Sequence, residues 1–119
     1  MKGIAQWFML AAVASALGGM AWGIQMSASG DHLLSPAHGH LNLIGWVSCS
    51  IFAIYYSLVP AAAEGGLPRV HFALVIAALL LLIPGIPMAI RGTSEALAQA
   101  GSMVALASML LFGWIVLRR

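Results

Sequence analysis

Eight charged positions, Lys2, Asp31, Glu64, Arg69, Arg91, Glu95, Arg118 and Arg119, divide the chain into four uncharged stretches at 3–30, 32–63, 70–90 and 96–117. Each exceeds the roughly 18–20 residues that a helix needs to cross a bilayer core. Runs such as Ala77-Ala78-Leu79-Leu80-Leu81-Leu82 lack the alternation of apolar and polar residues that a membrane β-strand requires. The pattern therefore predicts an all-α, four-helix transmembrane bundle forming a single domain over 1–119, with helices at about 3–25, 36–63, 68–90 and 94–117. A signal peptide would also begin with Lys2 and an apolar run, and Ala14-Ser15-Ala16 resembles a cleavage site. The apolar run continues through Leu17 to Ile24, however, so the first stretch reads as a spanning helix.

The punctuation between these runs sets the helix ends. Ser27-Ala28-Ser29-Gly30-Asp31-His32 reads as a polar loop, and Ser35-Pro36 as an N-cap followed by a first-turn proline. A helix from Pro36 to Ala63 would be roughly 40 Å long at 1.5 Å per residue, which places its first turns in the interfacial layer. Gly65-Gly66-Leu67-Pro68 forms the next turn. Within Pro84-Gly85-Ile86-Pro87 each proline removes a helix hydrogen bond, so a kink is expected in the last third of helix three. Arg91-Gly92-Thr93-Ser94 turns into helix four. In helix one, Ala11, Ser15, Gly19 and Gly23 recur every fourth position, a stripe of small residues suited to close helix approach. It serves either packing within the bundle or a contact between subunits.

Composition agrees with this pattern. Of the 119 residues 62% are hydrophobic and 7% charged, against roughly a quarter charged in a soluble domain. Net charge is only +2, and there is no basic cluster beyond Arg118-Arg119, so no nucleic-acid partner is expected. The bilayer is the expected surrounding. A single cysteine, Cys49, excludes a disulfide within the chain. If the N-terminus lies inside, Lys2, Arg69, Arg118 and Arg119 are inside and only Arg91 is outside. The positive-inside rule therefore predicts a multi-pass protein of the cell's inner (cytoplasmic) membrane with both termini cytoplasmic. His32, His38 and His40 would then face the exterior side.

Ser35-Pro36-Ala37-His38-Gly39-His40-Leu41-Asn42-Leu43-Ile44-Gly45-Trp46 carries the candidate chemistry. Ionisable residues on membrane helices are scarce and usually functional, and histidine commonly ligates metals and haem iron. Taken alone, His38 reads equally as an interfacial histidine solvated near a helix end. His40, Asn42 and Trp46 together, on a helix of Leu, Ile, Val and Ala, point to a site. Residues two apart on a helix face about 200° apart, so His38 and His40 must serve opposite faces rather than one metal. His38 shares its face with Asn42 and Gly45, where the missing side chain would leave room for a flat ring.

This segment resembles the second helix of haem-copper oxidase subunit I, above all that of the cbb-type oxidases and nitric oxide reductases. There a His-x-Asn triplet opens the helix and its histidine ligates low-spin haem, and His40-Leu41-Asn42 matches that triplet. The His38-Gly39-His40 spacing also resembles the tenth helix of that subunit, where a His-x-His pair ligates two haems on opposite faces. The family subunit has twelve helices in three four-helix units about a pseudo-threefold axis. The resemblance implies a single-repeat relative that assembles as a homotrimer and binds haem b through His38 and His40. It further implies electron transfer with a redox partner, or gas binding where one axial position stays open. Asn42, Gly45 and Trp46 would line the site, and Arg91 would pair with the haem propionates or serve as a plain loop charge. The family's copper triad has no counterpart, since helix three offers only His71, near the inner end and read as interfacial, while His32 reads as a solvated loop residue. Oxygen reduction of the family type is therefore not implied. Two other readings stand beside haem binding. One is a copper- or other metal-binding or transport protein using histidines with Met20, Met26 and Met88, and the other is a small structural subunit of a respiratory complex.

Overall fold

Inside a bilayer a backbone has only itself to satisfy its N–H and C=O groups, so long uncharged runs become helices. The computed structural model describes residues 1–118; Arg119, counted above among the inner cations, lies outside the described residues. Four helices follow one another: α1 (Gly3–Ser29), α2 (Ser35–Leu58), α3 (Leu67–Ile90) and α4 (Ala96–Leu117). All four are long and apolar enough to cross a membrane. The bundle measures 46 × 28 × 17 Å, and its long axis exceeds the bilayer core, as spanning helices with interfacial ends require.

Several ends differ from the sequence expectation, each for a local reason. Helix α1 continues through Ser27-Ala28-Ser29 and stops at Gly30, whose φ of 72° only glycine adopts at little cost. Ser35 is not an N-cap: its hydroxyl donates to the His32 carbonyl at 2.8 Å, while the Asp31 carboxylate accepts the Leu33 N–H at 3.0 Å. Helix α2 ends at Leu58 rather than Ala63, because Pro60 pushes Val59 out of the helical region (φ −123°, ψ 74°). Pro60–Ala63 then form a separate 3₁₀ turn. Helix α3, in contrast, runs unbroken through Pro84 and Pro87.

The expected small-residue stripe of α1 packs within the bundle, against α2. A Cβ on Gly19 would lie 2.5 Å from the Asn42 amide oxygen, and one on Gly23 would lie 3.3 Å from His38 Nε2. The place beside Gly45 is taken by the Ser15 side chain. Helices α3 and α4 meet in the same way: a Cβ on Gly85 would come within 2.7 Å of the Ala98 backbone, and one on Gly101 within 2.8 Å of Leu82. Apolar burial gains little when the solvent is lipid, so backbone proximity of this kind is what holds such helices together.

Over Leu41–Ser48, α2 widens into a π-helix of eight residues. Asn42 marks its start, where its amide Nδ2 donates to the His38 carbonyl at 2.9 Å. A side chain that claims a backbone carbonyl competes with the helical ladder there, and wide turns of this kind recur at functional sites.

Candidate functional site

Two histidine environments lie at opposite ends of α2. At one of them, His38 sits half-buried in the seam between α1 and α2. Its Nε2 is 2.9 Å from the Gly19 carbonyl, which can only accept, so Nε2 carries the proton and donates it. Asn42 Nδ2 lies 3.1 Å from the same nitrogen. With Nε2 protonated, that amide spends its hydrogen bond on the His38 carbonyl, and Trp22 closes the seam edge-on at 6.2 Å from the imidazole. His38, Asn42, Gly19 and Gly23 thus form one interlocked patch, and it depends on two glycines of α1 that lack side chains.

His40 is placed differently. It is exposed, at the head of an exposed stripe of α2 that continues along the helix through Leu43, Val47, Ile51, Ile54 and Leu58. Its Nδ1–H donates to the Pro36 carbonyl one turn back, at 2.7 Å. That bond sets the tautomer, so Nε2 keeps a free lone pair on an exposed ring. A backbone carbonyl on one ring nitrogen and an open lone pair on the other is the arrangement that orients a ligating histidine.

The remaining candidates divide. Asn42 belongs to the His38 patch. Gly45 is buried against Ser15, so the room expected there for a flat ring is occupied by α1. Trp46 is exposed on α2, and its carbonyl accepts the Ser50 hydroxyl at 2.6 Å. Arg91 is exposed in the turn between α3 and α4, with its backbone N–H bonded to the Pro87 carbonyl. The structure therefore gathers His38 and Asn42, and leaves His40, Trp46 and Arg91 facing out of the chain.

At the other end, His71 departs from the expectation of a solvated interfacial residue: it is 0% exposed. Its Nδ1 is 2.9 Å from the Tyr56 hydroxyl. Phe8, Phe52 and Phe112 surround the ring with centroids 5.0, 4.5 and 5.1 Å away. Its Nε2 has no hydrogen-bond partner. Among the described residues, no group of three or more His, Cys, Asp or Glu side chains comes together as a metal site. Cys49, a free thiol, is buried on the same face of α2 as Phe52 and Tyr56.

A buried polar pair of this kind is held by mutual satisfaction, which predicts an unusual stability pattern. His71→Leu alone strands the Tyr56 hydroxyl and is expected to cost about 1–3 kcal/mol, seen as a lower thermal midpoint in detergent. Tyr56→Phe combined with His71→Leu removes both polar groups, including the unpaired Nε2, and is expected to restore the midpoint to at least its original value. A double variant as unstable as the single one would show that the imidazole ring itself is needed for packing.

Comparison of the chain with protein families, with curated proteins and with solved structures finds no match.

Proposed function

We propose that the chain is a haem-b-binding membrane protein in which His40 is an axial ligand and copies of the chain hold the haem between them. One observation supports this above the rest: an exposed histidine heads an otherwise apolar stripe, with Nδ1 tied to Pro36 and Nε2 free. The residues fit the group as a half-site: the helices of a single copy expose one such ring, and the second ligand comes, in this proposal, from another copy. A haem with two histidine ligands supplies one-electron exchange and leaves no open position for a gas. The protein's own part is to fix the His40 ring and to keep His38 in reserve in the adjacent seam. Arg91 adds a guanidinium at the same end that suits propionate carboxylates. A redox partner completes the function.

The copper reading lacks a comparable feature, since Met26 is buried in packing while Met20 is exposed elsewhere on α1. A reduced-minus-oxidised visible spectrum of the purified protein tests the proposal directly: a b-type haem signal supports it, and a protein purified from haem-replete cells without one overturns it. The proposed setting is the cytoplasmic membrane with both termini inside and His40 on the outer side. Ser29→Cys is then expected to be labelled by an impermeant thiol reagent from outside the cell, against a native background kept silent by the buried Cys49. Labelling only from the inside would move the site to the other leaflet.

A further inference from the structure

Two grooves straddle the first turn of α1, at the end of the bundle opposite His38 and His40. One, of about 480 Å³, lies between the start of α1 and the end of α2, with Lys2, Ile4, Tyr56 and Ser57 among its walls. The other, of about 470 Å³, lies on the opposite flank and is lined by Gly3, Ile4, Trp7, Arg69 and Phe72. Gly3 and Ile4 belong to both, so the two grooves share one wall.

Each groove has one cation in its wall, Lys2 in the first and Arg69 in the second, and the second has the polarity of a lipid. Lys2 sits just outside α1 and Arg69 in the first turn of α3, both exposed and at the level where the spans end. Away from these cations the walls are Ile4, Trp7 and Phe72. Indole rings favour this boundary between headgroups and acyl chains. Charge separates the two ends of the bundle: Lys2, Arg69 and Arg118 stand against Glu64 here, whereas Arg91 stands against Asp31 and Glu95 at the other end. A guanidinium binds phosphate through two parallel N–H donors, while an ammonium acts as a point charge.

We propose that this end of the protein binds an anionic phospholipid, its phosphate between Lys2 and Arg69 and its two acyl chains in the two grooves. The paired grooves around one shared wall match a two-chain ligand, and the net positive rim selects its charge. This site does not depend on haem.

Native mass spectrometry of the detergent-solubilised protein tests it, with phosphatidylglycerol and phosphatidylcholine of identical chains as probes. Phosphatidylglycerol is expected to bind about tenfold or more tightly, the scale set by two cations at a headgroup. Lys2→Gln with Arg69→Gln is expected to abolish that preference with an unchanged thermal midpoint, and Arg91→Gln to retain it. Glycerol 3-phosphate, which carries the phosphate without the chains, is expected not to displace the lipid at equal concentration. Equal binding of the two lipids, a preference that survives the double substitution, or displacement by the free phosphate ester would each overturn the proposal.

Discussion

His40→Ala is expected to remove haem from the purified protein while leaving its helices folded. The ring is exposed and makes its single hydrogen bond to Pro36 within its own helix, so its loss opens no cavity. Haem content should fall by more than about tenfold, the scale on which even contacts that merely orient a ligand alter metal affinity. Stability measured by thermal unfolding of the haem-free protein should hardly change, in line with other exposed positions. His38→Ala differs in kind: it removes the bond to the Gly19 carbonyl and empties a seam, so it lowers stability together with any effect on haem. The decisive control is His40→Gly supplied with free imidazole, which should recover the absorption spectrum because the missing ligand is returned without its tether. A His40→Ala protein with full haem content would remove His40 from the site and with it the proposed function.

The match of His40-Leu41-Asn42 to a His-x-Asn triplet already singles out His40 in the sequence, and the exposure of its ring agrees with that choice. The spacing of two residues already required the histidines to face apart, and the structure keeps them apart. Which of them is exposed depends on the seam that α1 forms around His38, nineteen residues from Gly19 on another helix, and no local pattern encodes that. The glycine and serine stripe of α1 was legible as a contact surface from its fourfold period. Its partner was not, because the match of Ser15, Gly19 and Gly23 to Gly45, Asn42 and His38 is a property of two helices in register. Gly45 misled for the same reason: a missing side chain signals room, but not whether a ring or a neighbouring helix fills it.

The burial of His71 is not encoded by its neighbours in sequence. In sequence it stands two residues after Arg69 and close to a Gly-rich turn, which suggests a solvated end. Its burial is created by Phe8 on α1, Phe52 and Tyr56 on α2 and Phe112 on α4, all brought in by tertiary packing. Helix stops were partly readable. Pro60 carried the signal that α2 ends at Leu58, since the residue before a proline avoids helical geometry. Pro84 and Pro87 carry the same kind of signal inside α3, yet that helix continues through both, with Gly85 locked against the backbone of α4. The π-helical stretch had no readable sign at all in Leu41–Ser48 beyond an asparagine able to compete for the backbone.

The proposed assembly rests on which imidazole nitrogens are exposed. Among the histidines on the helices at this end, His40 alone is exposed with a lone pair free, and a haem with two histidine ligands needs a second nitrogen. Three copies closing on a threefold axis would let His38 of one copy meet His40 of the next, giving three equivalent sites. That pairing uses His38 Nδ1, which the Gly19 bond leaves with its lone pair, or else Nε2 at the loss of about 1 kcal/mol for that hydrogen bond. A twofold pair would instead set two His40 rings against one haem and leave both His38 rings in their seams, with no bond broken. We expect the ring, because it uses both histidines and rebuilds the threefold arrangement of the subunit that the histidine segment resembles. Mass measurement in mild detergent combined with haem quantification separates the cases: three chains with three haems support the ring, and two chains with one haem support the twofold pair. His38→Ala sharpens the contrast, since it should empty the ring of haem but leave the twofold site loaded. A monomer that carries a haem with two histidine ligands would defeat both assemblies, for one chain would then supply both ligands.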